Sequence, residues 1–349
     1  MTHKVRIDLF SDTQTRPSPE MRAYMAAAEV GDEQLAEDPS VNALQEMVAE
    51  LLAKEAAVYL PTGTMCNQIS FAVHCRPGDE VIMDKTAHPI IAEGGGVAAL
   101  TGATVTALDG ARGIFTAEQL EEVVQPQGRY SPRPRAVSVE QTTNLGGGAC
   151  WPLQTVQEVC STAHRLGLIA HMDGARMMNA VVKTGVPADR YSNSFDSVWI
   201  DLSKGLGAPV GAVLAGTRDF IDEAWRFKQR LGGAMRQAGI IAAAGIYALR
   251  NNVERLAEDH ANARTLAEGL ADISGIDIDP DGVETNIVLF DVRGTGMDAA
   301  QFVDRMIDEH GVRVSQMDKT LLRAVTHMDV SKVGIETAIE AARAVVGGQ

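Results

Sequence analysis

Short apolar runs that alternate with segments of helical period constrain this chain most. Ala57–Leu60, Glu80–Met83, Thr104–Leu108, Ala136–Glu140, Gly167–Met172, Ser197–Ile200 and Gly211–Ala215 read as strands buried on both faces. Between them lie helical patterns. In Ser40–Leu52 the residues Val41, Leu44, Met47, Val48 and Leu51 fall on one face, and the period returns in Ala117–Val124, Leu153–Leu166 and a long stretch near Gln237–Arg264. This alternation predicts an α/β fold whose large domain holds a mainly parallel seven-stranded sheet. After about Ala257 the order changes. Ile276-Asp277-Ile278, Thr285–Phe290 and Leu321–Val325 look like strands, with helices at Met297–Glu309 and Val333–Val345. The predicted division is a large domain over 1–256, counted with the N-terminal arm, and a small C-terminal α+β domain over 257–349. The arm could equally complete the small domain.

Charge narrows the possible partners. With 46 acidic and 31 basic residues the formal net charge is −15, which would repel nucleic acid phosphates and anionic membranes. Neither is an expected partner. No apolar run approaches the roughly 18 residues that span a bilayer, and Met1-Thr2-His3-Lys4-Val5-Arg6 lacks a signal-peptide core, so the expected location is cytoplasmic. Cys66, Cys75, Cys150 and Cys160 form no C-x-x-C pair, which argues against a metal site or a disulfide framework.

Two segments carry the chemistry. Lys204 stands in Ser203-Lys204-Gly205-Leu206-Gly207, just beyond the apolar run Ser197–Ile200. Asp173 follows the run Gly167–Met172, in His171-Met172-Asp173-Gly174-Ala175-Arg176. An amine able to form a Schiff base and a buried carboxylate able to hold a pyridine nitrogen protonated are what pyridoxal phosphate chemistry requires. Gly63 and Thr64, in Pro61-Thr62-Gly63-Thr64-Met65, open a helix after a strand, where backbone N–H groups can seat a phosphate. His88 lies in a loop at a strand's carboxyl end, where α/β sheets bind ligands. Arg176, Arg236 and Arg323 offer guanidinium groups suited to a carboxylate or a phosphate. The Gly205-x-Gly207-x-x-x-Gly211 spacing is a poor dinucleotide fingerprint, because Pro209 interrupts the turn and a strand follows instead of a helix.

Taken in order, these motifs resemble the low-specificity L-threonine aldolases, within the β-eliminating lyase group of fold-type I pyridoxal-phosphate-dependent enzymes. The resemblance extends over Asp8–Thr13, Glu29–Glu33, Glu37–Pro39, Met235–Gly239, Leu256–His260, Thr285–Ile287 and Val325–His327. It implies a transferase-like fold and pyridoxal 5'-phosphate as cofactor. Lys204 would be the Schiff-base lysine, Asp173 the partner of the ring nitrogen, and His88 the residue over the ring. Gly63 and Thr64 would lie at the phosphate, with Arg236 reaching it from a neighbouring subunit. Ser11, Arg176 and Arg323 would hold the substrate carboxylate. Family members are commonly homotetramers, dimers of dimers with shared active sites.

Departures from the family pattern bear on the substrate. Thr143, expected among the substrate-binding residues, stands where a histidine touching the substrate hydroxyl is usual, and Leu35-Ala36 stands for Tyr-Gly. Pro89-Ile90-Ile91-Ala92-Glu93 replaces a stretch that usually carries tyrosines, and Phe10 replaces an arginine. A less polar side-chain pocket is expected, with His88 or a water as base. The reaction implied is cleavage of a β-hydroxy-α-amino acid to glycine and an aldehyde. The alternative is β-elimination to an oxo acid and ammonia, and a non-catalytic role on the same fold is the third reading.

Overall fold

The computed structural model describes residues 5–126 and 128–348, so the first four residues of the N-terminal stretch read above lie outside it. In chain order the strands are β1 (Ile7–Asp8), β2 (Ala56–Leu60), β3 (Asp79–Asp84), β4 (Thr104–Leu108), β5 (Arg133–Glu140) and β6 (Ile169–Gly174). They continue with β7 (Ser197–Asp201), β8 (Ala212–Gly216), β9 (Ile287–Asp291), β10 (Val312–Arg313), β11 (Ser315–Gln316) and β12 (Leu321–Val325).

The large sheet has seven strands in the order β2-β8-β7-β6-β5-β3-β4. The steps from β7 to β4 are parallel, and β8 runs antiparallel to both its neighbours. Alternate residues serve opposite faces. Val198 and Ile200 enter one core with Val137, Val139 and Val213, whereas Trp199 enters another with Val58, Leu60, Ala212 and Leu214. Both faces are therefore covered, which is why these strands read as continuous apolar runs.

A separate core gathers the three-stranded antiparallel sheet β11-β12-β9 and the helices Leu256–Ala271, Ala299–His310 and Lys332–Gly347. The N-terminal arm contributes Leu9 to this core, and β1 pairs parallel with β10, Ile7 opposite Val312. Leu256 packs in the large core and Ala263 in the small one, so the helix they share joins the two.

Three elements depart from the sequence reading. Thr104–Leu108, read as a buried strand, is the edge strand β4, and of its residues only Leu108 is buried. The stretch near Gln237–Arg264 is broken into Gly239–Asn251 and Leu256–Ala271. At the break, buried Asn252 turns away and its Nδ2 donates to Leu206 O at 2.7 Å, bracing the turn after Lys204. Ile276–Ile278 forms only an isolated bridge, Asp277 opposite Asp291. Among the described residues no helix is long and apolar enough to cross a membrane.

Candidate active site

Five strands of the large sheet deliver residues to one place. β2 ends at Leu60 and leads into the helix Gly63–His74, while β3 ends at Asp84 and leads to His88. β5, β6 and β7 bring Glu140, Asp173 and Asp201 at or beside their last positions. These carboxyl ends open on a cavity of about 470 Å³ lined by Ser11, Gly63, Thr64, His88, Asp173, Arg176, Lys204 and Arg323, among others. Lys204 and Asp173, from different strand ends, share its wall.

At one end the helix Gly63–His74 points its start at the cavity. The Thr62 side chain caps it by accepting from Met65 N at 3.1 Å, leaving the earlier N–H groups of Gly63 and Thr64 for an anion. Gly63 is required by closeness: a Cβ there would lie 2.4 Å from Trp199 Cη2 and 2.6 Å from Cζ3.

Several of the charges are matched in pairs. Arg176 Nε and Nη2 each lie 2.7 Å from Asp12, and both side chains are buried. Burial alone would raise the Asp12 carboxyl, but the Arg176 guanidinium outweighs it and holds the carboxyl well below its usual range. Lys204 Nζ sits 2.6 Å from Asp201 Oδ2. His88 Nδ1 meets Glu93 Oε1 at 2.8 Å, and this bond raises the imidazole above its ordinary value. Asp173 accepts from Ala175 N at 3.0 Å and Asn67 Nδ2 at 2.8 Å, but among the described residues it forms no ion pair. Burial, reinforced by the neighbouring Glu140 charge, pushes it up to about 7. Glu140 is raised as well, by burial, although it accepts from His88 N and Asn144 N.

Pyridoxal phosphate fits this charge pattern. A protonated ring nitrogen would give Asp173 an ion-pair partner, and a phosphate would meet the helix start at Gly63 and Thr64. Lys204 is the primary amine on the wall.

Not every expected residue reaches the cavity. Thr143 is buried, but its short side chain faces a separate small void lined by Thr86, Gly113 and Glu140, and its Oγ1 has no hydrogen-bond partner. Contact with a substrate hydroxyl from Thr143 is therefore not supported. Arg236 is exposed on a surface turn and ion-pairs with Asp32 at 2.7 Å, outside its own chain's cavity. Among the departures, Ile91 lines the cavity, while Ile90 packs beside the cluster around Phe71. Leu35 is 66% exposed, and the Phe10 ring lies under Arg313 at 4.9 Å. The apolar character of this wall thus comes from Ile91, Leu145, Met317 and Trp199.

Sequence reasoning missed Asp12, Asn67, Glu93, Glu140 and Asp201. Asp201 and Glu140 had a usable signal, an acidic residue closing an apolar run.

Comparison with known proteins agrees with this architecture. A family model described as Beta-eliminating lyase matches residues 8–293. The chain belongs to that family of lyases. Within it the chain stands with the low-specificity L-threonine aldolases. The low specificity L-threonine aldolase of Escherichia coli K12 is 41% identical over 327 residues, covering 93% of this chain and 95% of the relative. The probable low-specificity L-threonine aldolase 2 of Arabidopsis thaliana is 40% identical over 334 residues, covering 95% and 94%. The solved threonine aldolase of Leishmania major shares the fold, with a TM-score of 0.83 at 18% identity over 97% of this chain and 99% of that one.

Proposed function

We propose that this chain is a pyridoxal-phosphate-dependent aldehyde-lyase that cleaves a threonine-like β-hydroxy-α-amino acid to glycine and an aldehyde. One observation carries the reading: Lys204 and Asp173 share the wall of a cavity whose far end is a helix start at Gly63 and Thr64. Lys204 would hold the cofactor covalently and Asp173 would face its ring nitrogen. When bound, pyridoxal phosphate supplies an electron sink for the electrons of a bond broken at Cα.

The chain's own residues choose which bond that is. Arg323 and Ser11, with the Nη1 side of Arg176, fix the substrate carboxylate and so set the Cα–Cβ bond for cleavage. Arg323 is itself held by Asn144 Oδ1 at 2.7 Å. His88 takes the β-hydroxyl proton. Glu93 accepts hydrogen bonds through a carboxylate, so Nδ1 carries the proton and Nε2 is the bare, basic nitrogen. Ile91, Leu145 and Met317 favour a substrate whose β-substituent is apolar.

Finer parts of the reading concern assembly and location. Arg236, exposed and aimed by Asp32, would serve the phosphate of a neighbouring copy in a homotetramer built from dimers. The enzyme would work in the cytoplasm, and its chain divides near residue 256. The test is a panel of β-hydroxy and β-substituted amino acids given to purified protein, with glycine, aldehyde and oxo acid measured separately. Glycine and aldehyde in equal amounts are expected. Oxo acid and ammonia as the main products would replace aldol cleavage with β-elimination.

A further inference from the structure

Behind the cavity a line of side-chain hydrogen bonds runs from Asp173 between the helix Gly63–His74 and the sheet to His74. Asn67, fully buried in the helix Gly63–His74, is its hub. Its Nδ2 donates to Asp173 Oδ2 and to Glu93 Oε1, both at 2.8 Å. Its Oδ1 accepts from Trp199 Nε1 at 2.7 Å and lies 3.2 Å from His171 Nε2.

Each bond in this line has one polarity. An indole N–H can only donate, so Oδ1 must face Trp199. His171 Nε2 then carries a proton toward the same oxygen, and its bare Nδ1 takes the Ser197 hydroxyl hydrogen at 2.8 Å. Ser197 Oγ in turn takes the N–H of His74 Nε2 at 2.8 Å. Burial keeps both rings neutral, pushing His171 down to about 3 and His74 down to about 4. With Asn67 unable to flip, both its amide hydrogens are committed to carboxylates.

We propose that Asn67 is a positioning residue: its locked carboxamide gives one hydrogen to Asp173 and the other to Glu93, keeping Asp173 ionised and aimed at the ring nitrogen. The proposal rests on the pyridoxal phosphate reading above. Charged groups line the same cavity as Asp173: Glu93 and His88 from the turn after β3, Glu140 from β5, and Arg176 after β6. Asp201 closes β7, and Lys204 follows it. Glu140 and Glu93 oppose ionisation, Lys204 favours it, and the Asn67 hydrogen bond adds to the favourable side. Glu93 also holds His88, so this one amide ties the base pair to the ring-nitrogen carboxylate.

The test uses holoenzyme of wild type, Asn67→Ala and Asn67→Ser. Loss of bound-cofactor absorbance on dilution is followed between about pH 6 and pH 9, with steady-state kinetics alongside. Asn67→Ala is expected to release cofactor faster, by about fivefold near pH 7 and approaching tenfold toward pH 6, the effect of a shift of about one pKa unit at Asp173. The deficit should shrink toward pH 9, where Asp173 ionises unaided. Asn67→Ser, with a single donor, should fall between, and it decides the matter if Asn67→Ala fails to fold. In both variants kcat should fall more than KM rises. Release within twofold of wild type, or a deficit independent of pH, overturns the proposal. Wild-type protein that never holds the cofactor would instead overturn the functional reading.

Discussion

Replacing Asp12 with asparagine should unfold this protein more easily than any surface change, because it strands a buried cation. Asp12 and Arg176 are 0% and 5% exposed, and two 2.7 Å hydrogen bonds join them, with Asn286 Nδ2 adding a third contact to Asp12 at 3.1 Å. Asp12→Asn keeps the shape and removes the charge. Breaking one side of a buried pair costs about 3–5 kcal/mol, since the remaining ion loses the partner that offset its desolvation. At about 2 °C per kcal/mol for a large chain, the melting temperature should fall by roughly 6–10 °C. The double variant Asp12→Leu/Arg176→Met removes both charges and should recover most of the loss, because no ion is left buried. Calorimetric unfolding of these two variants and the wild type measures this. The pH dependence has a definite sign. The folded Asp12 carboxyl lies below its unfolded value, so the pair's stabilisation is present above about pH 4 and is lost as pH falls further. A single variant within about 1 kcal/mol of wild type, or a double variant no more stable than the single, would refute the argument.

Glu93→Gln removes the hydrogen-bonded carboxylate that raises His88, so the acid limb of kcat/KM should move to lower pH; a limb that stays in place would count against His88 as the base. Gly63→Ala places a Cβ against the Trp199 ring and should destabilise by about 1–3 kcal/mol, read by thermal unfolding. Lys204→Ala leaves Asp201 without its 2.6 Å partner and should lower turnover by about a thousandfold or more. Borohydride treatment followed by peptide mass analysis should find the cofactor on the Lys204 peptide of wild type and not in the variant.

What was legible in the sequence follows from burial. Strands covered on both faces are continuous apolar runs, so β3 and β5 to β8 could be placed within a few residues, and the loops at their carboxyl ends followed. Lys204 and His88 sit in those loops, and Asp173 ends such a strand, which makes each visible beside a run that ends at the site. The partners were not visible. Asp12 and Arg176 stand 164 positions apart, and nothing in either segment names the other. The same holds for Leu35 and Ile90, which read as pocket residues by order along the chain but point to solvent and to the Phe71 cluster.

The helix Gly63–His74 shows why Asn67 in particular escaped. Amphipathic reading assigns polar residues to solvent and apolar ones to the core. Here Cys66, Asn67, Gln68, Ile69, Ser70 and Phe71 are buried in unbroken succession, so the helix has no solvent face over that stretch. A polar residue in such a helix must find protein partners, and Asn67 finds Asp173, Glu93, Trp199 and His171. Three of these four lie more than a hundred residues away along the chain. Motifs at strand ends therefore reveal which groups perform the chemistry, while the donors that set their ionisation lie inside elements whose period suggests nothing unusual.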